Sequence, residues 1–313
     1  MVKYYINEQG TKKITEAETL PERDCWIHME GPTKEEIAQV AELTGIDNEA
    51  LMSAMDIDET AHLVIDEKLR KIIVDIPKTI GDEISTMPLG IIQNDKFIIT
   101  VCMMQTSVLD TFFVGKIKNV DISNQSLLAY RIMLNNCVRY LYYLRQIDRN
   151  SDNIQKDLLK FMRNKELLQL LDLQKSLVFF SASLTANFAV VQKLNSSANL
   201  GKATAEERDI LEDIALENKQ ALEMCSIYRE IIKNTTEGFA SVINNNQNFI
   251  MKFLTAITIV LTIPMVFASY WGMNTGVPFE TRLWGFWVIV GISALITTIV
   301  AIIMIKKKMF KLK

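Results

Sequence analysis

The chain has 313 residues, a formal net charge of −3, 49% hydrophobic and 23% charged residues. No basic excess points to nucleic acid. Two histidines, His28 and His62, argue against a zinc enzyme built on clustered imidazoles. The cysteines, Cys25, Cys102, Cys137 and Cys225, are widely spaced and form no CxxC pair. They predict reduced thiols in a cytoplasmic domain. The mean hydropathy of +0.13 hides a split. Residues up to about 247 read as a charged soluble protein. The rest is apolar and ends on Lys306, Lys307, Lys308, Lys311 and Lys313.

Residues 1–123 predict a cytoplasmic α/β domain. The opening MVKYYINEQGTKK has no apolar run, so no signal peptide is expected. Lys71–Ile76 (KIIVDI) and Lys96–Cys102 (KFIITVC) are short β-rich runs. Pro32-Thr33-Lys34-Glu35-Glu36 opens a helix towards Leu43, with acids in its first turn. Residues 124–202 predict a helical hairpin. Leu127, Tyr130, Leu134, Cys137, Leu141 and Leu144 recur at helical steps, and the series resumes at Leu158, Phe161, Leu167, Leu168 and Leu171. Polar Asp148–Asn153 (DRNSDN) is read as the turn between two antiparallel helices.

Residues 203–248 predict a long stalk helix with no break before the apolar segment. Gly238 costs a helix only about 1 kcal/mol, and Pro264 lies where proline is tolerated in a membrane. Ala203 to Tyr270 would form one helix of about 100 Å. Its apolar stripe calls for partners, and identical copies are the simplest source.

Residues 249–313 predict a transmembrane domain of two helices, 249–270 and 284–305, with an outer loop 271–283 and a basic tail. Roughly 20 apolar residues cross a bilayer as a helix. Phe249–Tyr270 carries one charge, Lys252, and Trp284–Ile305 none. The lysine-rich tail is expected inside, which puts both termini of a multi-pass cell-membrane protein in the cytoplasm. Trp271, Trp284 and Trp287 sit where an outer aromatic belt belongs.

At about 100° per residue, Met251, Thr255, Thr258, Thr262, Met265 and Ser269 fall on one face of the first membrane helix, with Leu254 and Gly272 on its edge. Phe249, Phe253, Val260, Pro264 and Phe267 lie opposite. The first face continues inward as Asn248, Asn244, Ser241 and Glu237. It reads as a pore lining, with Glu237 as an inner cation contact. Hydroxylated residues also favour helix packing in lipid, which is the competing reading. Met251 and Leu254 would form an apolar neck able to gate by dewetting.

Between the two apolar segments stands Tyr270-Trp271-Gly272-Met273-Asn274, followed by Val277-Pro278-Phe279-Glu280 and closed by the lysine tail. This arrangement resembles the CorA family of magnesium channels, whose signature is Gly-Met-Asn in this place. Cys25-Trp26-Ile27-His28, Gly31-Pro32-Thr33, Glu35-Glu36-Ile37 and Gln174–Phe180 add weaker likeness. Thr275 stands where the family often has an aromatic, and Val277–Glu280 where it often has Met-Pro-Glu. The resemblance implies a homopentameric funnel in the lipid bilayer that admits magnesium. Gly272, Met273 and Asn274 would be its ion filter. It further implies a regulatory magnesium site between subunits at Asp66 and Asp213, with Glu67 and Glu212 beside them. Related zinc transporters share the signature, so cobalt, nickel or zinc remain alternative cargoes.

The filter chemistry follows from the ion. Magnesium gives up water reluctantly and prefers hard oxygen ligands. A ring of Asn274 amide and Gly272 carbonyl oxygens could grip the ion through its waters. Gly272 is expected to allow a bend where the helix ends. A non-conducting membrane-tethered sensor is the alternative from another class. No nucleophile motif, cofactor loop or ligand cluster suggests an enzyme.

Overall fold

The computed structural model describes all residues except 9–10, 23, 67–68, 82, 162–163, 197–202, 278–281 and 308–313, and the side chains of Phe161 and Leu283. The chain divides into two compact units, Met1–Thr236 and Glu237–Lys313. In the first, seven strands form one sheet: β1 (Val2–Asn7), β2 (Ile14–Ala17), β3 (Cys25–Glu30), β4 (His62–Ile65), β5 (Arg70–Ile80), β6 (Glu83–Gln93) and β7 (Phe97–Cys102). Their order is β2-β1-β3-β7-β6-β5-β4. The β3–β7 pair is parallel and the other pairings are antiparallel.

Both faces of the central strands are buried, which explains their continuous rather than alternating apolar runs. Along β3, Trp26 packs on one side, while Cys25, Ile27 and Met29 pack on the other. In β5, Ile72, Val74 and Ile76 share Trp26's side, and Ile73 takes the opposite one. Helices α1 (Lys34–Thr44) and α2 (Asn48–Met52) cover the second face. Helix α1 starts at a capping box in which Thr33 and Glu36 satisfy each other's backbone N–H. It stops at Gly45, whose φ of 72° favours glycine. Helices α3 (Ser107–Phe113), α4 (Gln125–Phe161), α5 (Asn164–Leu194) and the first part of α6 (Ala205–Trp271) cover the Trp26 face.

The turn expected at Asp148–Asn153 is not there. Helix α4 continues through it to Phe161, and Ser151 is buried with its hydroxyl accepting from Gln155 Nε2 at 3.1 Å. Six polar residues without glycine or proline form a solvated helical face as readily as a turn. Helix α5 is long and apolar enough to cross a membrane, as are α6 and Trp284–Lys306. But 44% of the apolar window of α5 is buried in the fold, against 6% and 11% for the other two. Its Leu177, Phe180, Leu184 and Val190 are spent inside the first unit.

Polar pins fix α4 and α5 to the sheet. Strand β4 pairs with β5 only as far as Ile73, so the Asp75 backbone, two residues on, has no strand partner on that edge. It finds its partners on the helices. Its N–H donates to Asn187 Oδ1 at 2.8 Å. Its carbonyl accepts from Asn187 Nδ2 and Asn136 Nδ2 at 2.8 Å and from the Tyr140 hydroxyl at 3.1 Å. Asn187 thus replaces the missing strand with one buried amide. Asn187→Ala leaves a buried N–H without its acceptor, at about 1–3 kcal/mol. A clear fall in the denaturation midpoint of the full-length protein in detergent is expected. An unchanged midpoint would mean the pin contributes nothing.

Candidate ion pathway

In the second unit, α6 carries the first apolar segment and α7 (Leu283–Lys306) the second. Glu237, Asn244, Asn248, Met251, Leu254, Thr255, Thr258, Thr262, Met265 and Ser269 are all exposed in a single chain. On the opposite face Phe249, Val260 and Phe267 are half-buried and Ala256 is fully buried, while Phe253 and Pro264 are exposed. No stripe residue is buried, whereas part of the opposite face packs within the unit. Within the apolar span the stripe offers the hydroxyls of Thr255, Thr258, Thr262 and Ser269, while Glu237, Asn244 and Asn248 precede it.

The threonines of the stripe have a fixed polarity. Thr255 donates its hydroxyl to the Met251 carbonyl at 2.8 Å, Thr258 to Leu254 at 2.9 Å and Thr262 to Thr258 at 2.7 Å. Each proton is committed to the helix, so each hydroxyl oxygen offers only lone pairs outward. Such a row can accept from the waters of a hydrated cation. The composition predicted hydroxyls here but not their polarity; the habit of threonine to bond four residues back was the available signal.

At the end of α6, the Gly272 N–H donates to the Ala268 carbonyl at 3.0 Å. Gly272 is not among the glycines with positive φ, so the expected bend is not what demands glycine. Space is tight instead. A Cβ at this position would sit 3.2 Å from the Ala268 carbonyl oxygen. Met273 and Asn274 follow, both exposed, and among the described residues none hydrogen-bonds the Asn274 amide. Pro278, Phe279 and Glu280 lie outside the described residues, as do Lys308, Lys311 and Lys313.

The regulatory residues are less gathered. Asp66 is exposed at the turn after β4, where its N–H donates to the Leu69 carbonyl at 2.8 Å. It lines a small cavity of about 210 Å³ with Arg70, Gln93, Asn94 and Asp95. Glu212 and Asp213 are exposed on α6 between buried Leu211 and Ile214. Glu67 lies outside the described residues. Among the described residues no three acids, histidines or cysteines come together as a metal site. His28 is structural: it is buried, 3.0 Å from the Thr100 hydroxyl, and burial pushes its pKa down to about 4.

A family model described as CorA-like Mg2+ transporter protein matches residues 22–307. The chain belongs to the CorA family of divalent-cation transporters. It is 26% identical over 282 residues to the cobalt/magnesium transport protein CorA of Methanocaldococcus jannaschii, covering 88% of each chain. The complete structure of the CorA magnesium transporter from that organism matches with a TM-score of 0.82, at 24% identity, over 97% of this chain and 96% of the other. The structure of full-length CmaX matches with a TM-score of 0.68, at 17% identity, over 99% and 98%. The CorA fold is that of a transporter rather than an enzyme, and this chain is accordingly a membrane protein.

The close approach at Gly272 generates a test. Gly272→Ala would push a methyl against the Ala268 carbonyl and displace the adjoining Met273-Asn274 turn. Metal uptake should fall at least tenfold in proteoliposomes while the elution volume of the assembled protein is unchanged. Uptake at the parent rate would show that the close approach is not needed.

Proposed function

We propose that the protein is a homopentameric channel that admits magnesium down its electrochemical gradient and closes when internal magnesium is high. The observation that carries this reading is the exposed stripe from Glu237 to Ser269, acceptor-lined over its three threonines and ending at Gly272-Met273-Asn274. Several copies with stripes facing one axis would enclose a polar path, with Asn274 amides at its mouth. The chain would have four parts: an α/β domain (1–123), a helical hairpin (124–202), a stalk (203–248) and a transmembrane domain (249–313). Two crossings with both termini in the cytoplasm fit the lysines at the C-terminal end. A potential of 100 mV, inside negative, is worth about 4.6 kcal/mol to a divalent ion, so no ATP is required.

Cobalt is the alternative cargo with support, since a relative is named for cobalt and magnesium transport. Nickel and zinc have the motif's family relations alone. Uptake into liposomes of magnesium, cobalt, nickel and zinc in turn should be greatest for magnesium. Asn274→Ala should reduce it to background without loss of assembly. Transport of zinc alone, or normal uptake by an assembled Asn274→Ala protein, would contradict the reading.

Closure has two proposed parts. Magnesium between Asp213 of one copy and Asp66 of the next, with Glu212 and Glu67 nearby, would offset carboxylate repulsion and hold the copies together. Rings of Met251 and Leu254 would then form a dry neck in which nothing replaces the ion's water. Met251→Ala/Leu254→Ala should leak magnesium at internal concentrations that close the parent, and Asp213→Asn should need more magnesium to close. Normal closure by all of these proteins would exclude both assignments.

A further inference from the structure

In the first unit, the turn between β1 and β2 and the segment after α3 line a cavity of about 460 Å³. That lies within the roughly 300–1,000 Å³ of small-molecule sites. Lys12, Lys13 and Lys118 line it, and no acid is among the described residues that do, in a chain whose net charge is −3. Apolar side chains line it as well: Ile14, Phe113, Ile117 and Val114, the last 72% exposed.

The lysines are poorly neutralised. Lys12 meets Asp121 at 3.3 Å and Lys13 meets Glu8 at 3.7 Å, both as exposed pairs that water screens. Asp121 is shared, its other oxygen accepting from the Ser123 hydroxyl at 2.5 Å. Among the described residues Lys118 pairs with no acid. The C-terminal end of α3 does not supply the missing negative charge, which would come from unsatisfied carbonyls. Those carbonyls are taken: Asp110 accepts from the Val114 N–H at 2.9 Å, Thr111 from Lys116 and Ile117 at 3.0 and 3.2 Å, and Phe112 from Gly115 at 3.0 Å. The segment ends at Asn119, in the left-handed region at φ 59°, its carbonyl held by Arg131 Nη1 at 2.6 Å. The Asn119 side-chain amide lines the cavity and bonds no described residue.

We propose that this cavity binds a nucleoside triphosphate. Three lysines without an acid among them complement several negative charges on one ligand. The apolar lining suits a flat base, and the free Asn119 amide has the donor and acceptor that match the edge of adenine. An inorganic polyphosphate would leave the apolar lining unused, and a fatty acid would leave most of the positive charge unmatched. The inference rests on the first unit alone, so it stands apart from conduction and from the identity of the ion.

Full-length protein in a neutral detergent, freed of divalent ions by EDTA, is titrated calorimetrically with the sodium salt of ATP. One saturable site per chain is expected, weakening as salt rises. Lys12→Glu and Lys118→Glu should each lower the affinity about fivefold or more, because each reverses a charge beside the phosphates. Lys118→Gln, which only removes the charge, should act in the same direction by a smaller factor, and Lys160→Glu on α4, outside the cavity lining, should have no effect. Inorganic triphosphate should bind about tenfold less tightly than ATP, and Asn119→Gly, which suits the left-handed backbone but lacks the amide, should narrow that gap. No saturable binding of ATP by the parent protein would overturn the proposal. Binding that none of the cavity lysine variants weakens would place the nucleotide elsewhere and overturn it equally. Equal affinity of the parent for ATP and inorganic triphosphate would show that the base is not held, and would overturn the assignment to a nucleotide.

Discussion

A hydrated divalent cation is very costly to place in hydrocarbon, because the medium replaces none of its water. Magnesium holds that water tightly, so a path through the membrane must keep the shell or substitute for it with oxygen atoms. One α-helix cannot enclose such a path. The polar stripe of α6 therefore has meaning only when several stripes meet, and the remaining features of the proposed channel follow from that need. The uncovered state of the stripe in one chain is what such an arrangement requires.

The threonine geometry refines this picture. Hydroxyls free to rotate can present either a proton or a lone pair. Those of Thr255, Thr258 and Thr262 are locked by bonds to the preceding turn. Their outward charge is partially negative, the sign that suits cation-bound water, whose hydrogens point away from the ion towards acceptors. The polarity of the wall would thus be set by backbone carbonyls one turn away, without any carboxylate in the apolar span. Gly272 lies where a side chain would be crowded, not at an unusual backbone angle.

Much of the architecture was legible from residue patterns, and the failures have physical causes. The two apolar C-terminal segments and the unbroken α6 follow from length and periodicity. Of the strands, β5 and β7 stand out because Lys71–Ile76 carries a full apolar face and Phe97–Cys102 is buried on both. Strand β6 is hidden by Pro88 and Gly90, which normally argue against a strand. The proline is tolerated because it lies one residue beyond the β6–β7 ladder, which ends at Leu89, while the Asp75 backbone opposite it turns to Asn187 on the other edge. Strands β1 and β2 are short and half-buried, with weak alternation. Polar Asp148–Asn153 suggested a turn because composition does not distinguish a solvated helical face from a loop. The polar stripe of α6 was visible as one face because helical period converts sequence spacing directly into a face. The proposed regulatory acids were readable only through family resemblance, since among the described residues Asp66 and Asp213 complete no metal site.

The central claim is that the stripe of α6 faces water along the ion path, and cysteine accessibility tests it directly. The native thiols provide a quiet background. All four are buried, and burial pushes Cys25 and Cys225 up to about 11 and Cys102 and Cys137 up to about 12. Single cysteines at Thr255, Thr258, Thr262 and Met265, and opposite at Phe253, Val260 and Phe267, would be treated with a charged, membrane-impermeant thiosulfonate in proteoliposomes. The account predicts modification and block of magnesium uptake at the first set and silence at the second. Reaction confined to the second set, or spread equally around the helix, would contradict it.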